Sequence, residues 1–302
     1  MPDTPYERPR RFTALVNPIS GTRHAAGDWD EVTARLRTAG AEVTTIATRS
    51  AQHAVEAAGD AARRGDVVVA VGGDGMVRDI ATGVHTADGV MAIVPSGRGN
   101  DLARTLGIGT DPAELAVLLL EGSVRSIDVL EVGGVIAPGN VYVGVDSHAT
   151  RLINRLRRLP ALLVYRVAGV LAISTWTAPT YTVEIDGRRI TTRASTVVIS
   201  NSGAYGNGLR IVPPAVLDDG HLDVMIVDDV PRRAIIRFLA QAAKGTHVGR
   251  PEVRLETGTR VSVAIDREVP VCADGDEIGT VPIEVRLLPA ALRVIAPPAP
   301  VV

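Results

Sequence analysis

Apolar residues in the first part of the chain fall into short unbroken runs separated by stretches with helical spacing. The runs at 12–17, 42–47, 66–71 and 90–94 are dominated by small and β-branched residues, with Val67, Val68, Val69, Ala70 and Val71 the clearest. That is the pattern of strands buried on both faces of a parallel sheet. Between them, Val32 and Leu36 share one face of a helix that Asp28 or Asp30 is placed to cap and Gly40 to stop. Ser50 caps a second helix that Gly65 ends, Met76, Val77, Ile80, Ala81 and Val84 space out a third, and Asp111 caps another that runs to Glu121. Strands alternating with helices predict a Rossmann-like parallel α/β domain over 1–125, with ligand contacts at the carboxyl ends of its strands.

From about Ser126 the rhythm changes to short strands. Asp186-Gly187 reads as the turn of a hairpin between 180–186 and 188–193, and further strands are expected at 195–200, 221–228, 252–256, 260–265, 268–273 and 280–287. Two helical insertions interrupt them, one within 147–176 and one starting at Pro231 and ending near Lys244. The second domain, 126–287, is therefore mostly β, and 288–302 can pack back on the first domain.

Composition narrows the chemistry. A chain of 302 residues, 46% hydrophobic, can bury two cores. Its net charge of -2 argues against a nucleic-acid partner. Lys244 is the single lysine, so a Walker-type phosphate lysine is lacking in every glycine-rich loop, and phosphates must be held by backbone amides, arginine or metal. Cys272 is the single cysteine, which suits a reducing compartment. The N-terminal residues carry no signal-peptide core, and the apolar stretch at 159–176 is broken by Pro160 and Arg166, so a cytoplasmic protein without a spanning helix is expected.

Gly72-Gly73-Asp74-Gly75 joins the 66–71 strand to the following helix. Glycines there permit positive φ and close approach of a ligand, and a helix N-terminus offers unpaired N–H groups to an anion. Asp74 would repel a bare phosphate but help to hold a magnesium ion bound to one. The alternative is a connection whose glycines and aspartate only make the turn.

Five motifs in order, Asn17-Pro18-Ile19-Ser20-Gly21, Gly72-Gly73-Asp74-Gly75, Pro95-Ser96-Gly97-Arg98-Gly99-Asn100-Asp101, Gly206-Asn207-Gly208 and Asp219-Gly220-His221-Leu222-Asp223, resemble those of diacylglycerol kinase-like lipid kinases. The resemblance covers about 12–287. It implies an α/β nucleotide domain joined to a β-sandwich, with ATP, Mg2+ and lipid meeting in the cleft. By the same resemblance, Gly72, Gly73, Asp74 and Gly75 would cradle the phosphates and the metal, Asn17, Ser20 and Gly21 would form the facing wall of the nucleotide pocket, and Thr48 with the nearby His53 would be the nucleotide contact of the second strand. Gly97, Arg98, Gly99, Asn100 and Asp101 would run along the nucleotide. Asp274 resembles the family's general base, and Asp219 with the carbonyls of Val216 and His221 resembles a magnesium site. Asp274-Gly275 and Asp218-Asp219-Gly220 are equally plain turns.

The sequence departs from the family pattern at Met76, Asp79, Arg98 and Asp276, and Arg98 either adds a phosphate contact or crowds the pocket. The arginines and leucines of 151–159, followed by apolar 161–176, fit either peripheral contact with the inner face of the cell membrane, where a lipid substrate would be met, or a core helix with a solvated arginine face. An open edge strand offers a route to a homodimer. The expected activity is phosphorylation of a lipid hydroxyl, that of diacylglycerol first. A sphingoid base, an NAD-type acceptor and a catalytically silent nucleotide or lipid binder are the alternatives.

Overall fold

The structure, a computed structural model, describes residues 11–17, 23–156, 171–206, 208–229 and 231–298. It divides into two compact units, Met1–Val129 with Leu288–Val302, and Leu130–Leu287.

In the first unit β1 (Arg11–Val16), β2 (Glu42–Ala47), β3 (Val67–Gly72) and β4 (Val90–Pro95) form a parallel sheet in the order β2-β1-β3-β4. Every residue of β3 and β4 is buried, which is why their sequences carry no polar alternation. Five helices accompany the strands: α1 (Arg23–Thr38), α2 (Ala51–Arg63), α3 (Asp74–Thr86), α4 (Asp101–Thr105) and α5 (Pro112–Glu121). Ser50 caps α2 by accepting the amide of His53, and Asp111 caps α5 by accepting those of Ala113 and Glu114. The expected caps Asp28 and Asp30 are not caps, because α1 starts at Arg23 and both aspartates lie inside it.

The second unit is a β-sandwich. The chain enters it along β5 (Ser123–Val132) and continues through β6 (Val135–Ala137), β7 (Asn140–Gly144), α6 (Val145–Leu156), β8 (Thr180–Ile185) and β9 (Arg188–Ser200). It then forms β10 (Leu222–Asp228), α7 (Arg232–Ala242), β11 (Val253–Gly258), β12 (Arg260–Ile265), β13 (Pro270–Ala273), β14 (Asp276–Thr280) and β15 (Ile283–Ala296). β9 belongs to both sheets. Its first half pairs with β8, and from Ala194 onward it pairs with β7 and β10, where a register shift at Val227 and Asp228 marks the bend. The inward-facing Val197, Ile199, Val224, Ile226, Val261, Val263 and Val285 fill the space between the sheets. At the expected hairpin, Asp186 and Gly187 both take positive φ. Among the described residues no helix is long and apolar enough to cross a membrane.

Candidate active site

Strand register decides which loops of the first unit share an edge. Val16 lies opposite Ala47 and Val71, Val71 opposite Val94, and Gly72 opposite Pro95. Asn17, Thr48, Gly73 and Ser96 are therefore the first residues beyond one carboxyl edge of a parallel sheet. Thr48 is buried there, its amide and hydroxyl both donating to the carbonyl of Val16, at 2.8 and 3.2 Å. Ser20 and Gly21 lie outside the described residues.

The glycines of the β3 and β4 loops serve proximity. Contrary to the expectation of positive φ at 72, 73 and 75, that conformation is absent from these three, and Gly73 sits at φ -97°. What excludes a side chain is space. A Cβ on Gly97 would stand 2.4 Å from the Cα of Gly73, and one on Gly72 would stand 2.7 Å from the Cβ of Met76. The left-handed residue is Asn100, at φ 54°. Its side chain closes the loop on itself, accepting from the Gly97 amide at 2.9 Å and donating to the Gly97 carbonyl at 3.0 Å.

Asp74 fastens this assembly. One carboxylate oxygen accepts the amide of Asn100 at 2.8 Å and the other that of Asp101 at 2.7 Å, so a side chain at the start of α3 holds the entry to α4. A Cβ on Gly99 would lie 2.5 Å from the Asp74 carboxylate, which explains the second glycine of that loop. Burial pushes the Asp74 pKa up, the negative charge of Asp101 pushes it further, and the amides of Asp101, Asn100 and Leu102 oppose both. Two neighbouring carboxylates that raise each other's energy are a setting a divalent cation would relieve. With three amides on its two oxygens, the Asp74 carboxylate keeps one lone pair outside those bonds. Arg98, in the same loop, is exposed.

In the second unit Asp274 occupies the tip of the β13–β14 hairpin at φ 44°, followed by Gly275 at 93°. It is the turn residue and a fixed carboxylate at once. Its oxygens accept the amides of Asn140 at 2.7 Å and Gly139 at 3.3 Å, while its own amide donates to the Asn140 carbonyl at 3.0 Å. A Cβ on Gly139 would stand 2.4 Å from this carboxylate. Asn140, a buried residue that sequence reading missed, donates its side-chain amide to the Ser202 hydroxyl and the Ala204 carbonyl. A polar residue opening the apolar run 140–144 was the signal available.

The second unit contains a mainly apolar cavity of about 330 Å³ that includes Ile173, Trp176, Ile211, Phe238 and Leu239 in its lining. One wall is Asp146, at the start of α6, another residue the sequence did not single out. Its carboxylate accepts from Tyr205 at 3.0 Å, from Thr196 at 2.8 Å and from the Ser147 amide at 2.9 Å, and burial raises its pKa. Tyr205 stacks on Tyr142 at 5.0 Å.

At the expected metal loop, Asp219 accepts the amide of His221 at 3.0 Å, His221 Nδ1 donates back to the Asp219 carbonyl at 2.9 Å, and Val216 is exposed. Among the described residues no group of three or more His, Cys, Asp or Glu side chains is arranged to hold a metal ion.

Comparison with known proteins accounts for both units. Residues 11–132 match the diacylglycerol kinase catalytic domain, and residues 139–296 match the YegS C-terminal NAD kinase beta sandwich-like domain. A diacylglycerol kinase of Mycobacterium tuberculosis (strain CDC 1551 / Oshkosh) is 31% identical over 301 residues, covering 95% of each chain. A diacylglycerol kinase of Bacillus subtilis (strain 168) is 26% identical over 296 residues, covering 95% of this chain and 97% of its own. A crystal structure of a diacylglycerol kinase from Bacillus anthracis str. Sterne superimposes with a TM-score of 0.73 at 20% identity, covering 97% of this chain and 98% of that one, a likeness of fold. With the nucleotide-domain match on the glycine loops and the sandwich match on the unit that carries Asp274, the chain belongs to the diacylglycerol kinase-like family of ATP-dependent lipid kinases.

Proposed function

We propose that the protein transfers the γ-phosphoryl group of ATP to the free hydroxyl of diacylglycerol, giving phosphatidic acid and ADP. The observation that carries this reading is the pair of glycine loops clamped together by Asp74 at one sheet edge. Glycine backbones that exclude side chains leave amides and space for phosphates. Gly72, Gly73 and Gly75 take the phosphate side, with Arg98 as the nearby cation. Asn17, Ser20, Gly21 and Thr48 form the facing wall, and Gly97, Gly99, Asn100 and Asp101 follow the nucleotide.

Asp274 is the general base. Its carboxylate, oriented by the amides of Gly139 and Asn140, accepts the proton of the lipid hydroxyl as that oxygen bonds to the γ-phosphorus and the bond from phosphorus to the β,γ-bridging oxygen breaks. Mg2+, held through Asp74 beside Asp101, would supply positive charge for the phosphate oxygens. Asp219, with the carbonyls of Val216 and His221, is proposed as a second, structural magnesium site. The cavity beside Asp146 takes an acyl chain, since most of its lining is apolar and the polar groups of Thr196 and Tyr205 are already hydrogen-bonded to Asp146. The protein works in the cytoplasm, at the inner face of the membrane that holds its substrate.

The test is transfer of label from γ-labelled ATP with magnesium into mixed micelles that contain diacylglycerol, sphingosine or no lipid. Label in phosphatidic acid, lost in both Asp74→Asn and Asp274→Asn, is the expected result. Label in sphingosine alone would move the acceptor to a sphingoid base. Nucleotide binding with no labelled lipid would sink the reading.

A further inference from the structure

Resting on the reading of the second-unit cavity as the acyl-chain site, we infer that Phe238 closes its inner end and limits the length of chain the protein holds to about 11 carbons. Exposure changes along the lining in one direction. Thr177, Asp229 and Leu239 are exposed, whereas Ile211, Val227 and Phe238 are buried. The first three mark the mouth and the last three the closed end.

Behind that end lies packed protein. Ile211, Val227 and Phe238 belong to one core cluster with Met225, Ala242 and Val253, so the cavity stops at them. Phe238 is also held from behind. The fully buried His247 ring meets it edge-on at 5.1 Å, with 74° between the planes, and His247 Nε2 donates to the Ile211 carbonyl at 2.8 Å. The Phe238 ring therefore rests on a side chain that is itself tied to a second lining residue, and it does not turn aside for a longer chain.

The apolar character of the closed end decides which part of a lipid reaches it. An ester or a hydroxyl would leave its hydrogen bonds unmade among Ile211, Val227 and Phe238, so the chain end goes inward and the polar end stays near Thr177 and Asp229. A methylene fills about as much space as a molecule of liquid water, about 30 Å³, so a cavity of about 330 Å³ takes about 11 carbons in line. Each carbon up to that number leaves water on binding. Carbons beyond it stay at the mouth and add nothing.

Binding of 1-alkanols of roughly six to sixteen carbons to the full chain tests the limit without nucleotide or diacylglycerol. Trp29 and Trp176 are the two tryptophans and Trp176 lines the cavity, so fluorescence in a Trp29→Phe background reports occupancy. The Kd is expected to fall about fourfold with each added carbon, the equivalent of about 0.8 kcal/mol per buried CH2, and to stop falling near 11 carbons. Phe238→Ala removes the stopper and should move this break up by about three carbons. Val227→Phe fills the same end instead of emptying it and should move the break down by about two, whether or not the truncated variant folds. A wild-type Kd that keeps falling through the longest alkanol, or a break that a folded variant leaves in place, would overturn the limit even if diacylglycerol is phosphorylated. A break that moves as expected in a protein that labels no lipid would instead overturn the kinase reading alone.

Discussion

Gly73 and Gly97 face each other so closely that a single methyl group on Gly97 would lie 2.4 Å from the Cα of Gly73 and 2.9 Å from the side-chain oxygen of Asn100. The atom in the way is backbone at the junction of β3 and α3, so it cannot rotate aside. Gly97→Ala is therefore expected to separate the two loops, cost about 1–3 kcal/mol in a urea titration and weaken ATP binding. Gly107→Ala provides the contrast. It has positive φ but nothing within 4 Å of the added Cβ, so it should cost stability with ATP affinity retained. Equal ATP affinity in Gly97→Ala and wild type would mean that loop contact does not shape the nucleotide site.

Replacing Asp74 by asparagine tests the clamp. The carboxylate accepts an amide on each oxygen, whereas an asparagine has one acceptor and would turn its NH2 toward an N–H of Asn100 or Asp101. A fall in kcat of at least about 100-fold is expected for Asp74→Asn, as for loss of a preorganised electrostatic group. The charge cost has a pH signature. Because burial and Asp101 raise the folded pKa of Asp74 above its ordinary value of 3.8, the folded state binds the proton more tightly than the unfolded chain does. Stability associated with this group is then highest below the unfolded pKa and declines as pH rises through the folded one. Chemical denaturation between pH 3.5 and about 6 should show a difference between wild type and Asp74→Asn that changes in that direction. A pH-independent difference would remove the burial argument.

The strands of the first unit were legible because homogeneous runs such as 67–71 admit one burial pattern, and the register then brings the predicted loops to one edge. Asp186-Gly187 was legible because positive φ at both residues is what that dipeptide favours. β14 was not, since Asp276–Thr280 is an exposed edge with no apolar alternation. The strands read at 188–193 and 195–200 are one continuous β9, whose partners change at Ala194, where the sequence reading had placed a break. The cavity was hidden for a different reason. Asp146, Thr196, Tyr205 and Phe238 come from separate elements, and nothing local ties one to another. Asp28 and Asp30 misled because a capping residue type recurs inside helices as well as before them.

His247 gives a second pH dependence, of opposite sign. It is fully buried, its Nε2 donates to the Ile211 carbonyl at 2.8 Å, its ring meets Phe238 edge-on, and Nδ1 has no partner among the described residues. Burial lowers its pKa, opposed by the Ile211 bond. The unfolded chain therefore takes up a proton near pH 6.5 that the folded protein does not, so stability is full above that value and falls as pH drops toward the folded pKa, by up to about 1.4 kcal/mol per pH unit. Urea midpoints at pH 7.5 and 5.5 should differ more for wild type than for His247→Gln. Identical shifts would assign the acid sensitivity to other groups.

Asn140 links Asp274 to the sandwich interior. Its backbone holds both the carboxylate and the amide of Asp274, and its side chain reaches Ser202 and Ala204. Asn140→Ala keeps the backbone bonds and removes the side-chain bonds to Ser202, Ala204 and Ser200. The Ala204 carbonyl still accepts from Ser202 and the Ser200 hydroxyl still donates to the Ser202 carbonyl, so the cost is about 0.5–1.5 kcal/mol for each bond lost. Since the orientation of Asp274 depends on the 139–140 backbone, kcat should fall while the KM for ATP holds. A variant that loses stability with kcat intact would show that the Asn140 side chain serves folding only.

Thr177 separates acceptor binding from nucleotide chemistry. It lines the cavity and its side chain is exposed, while its carbonyl accepts from Arg267, an interaction that a side-chain change leaves in place. Thr177→Trp adds bulk at the mouth rather than in the packed interior, so it should cost less than about 0.5 kcal/mol of stability. If an acyl chain must enter here, the KM for a long-chain diacylglycerol rises about tenfold or more, which corresponds to about 1.4 kcal/mol of lost binding, and the KM for ATP is unchanged. A diacylglycerol with very short chains, which needs little of the cavity, should be phosphorylated almost as well as by wild type. Equal loss for short and long chains would mean that the tryptophan disturbs the reacting groups, and no loss for either would mean that the lipid reaches Asp274 by another route.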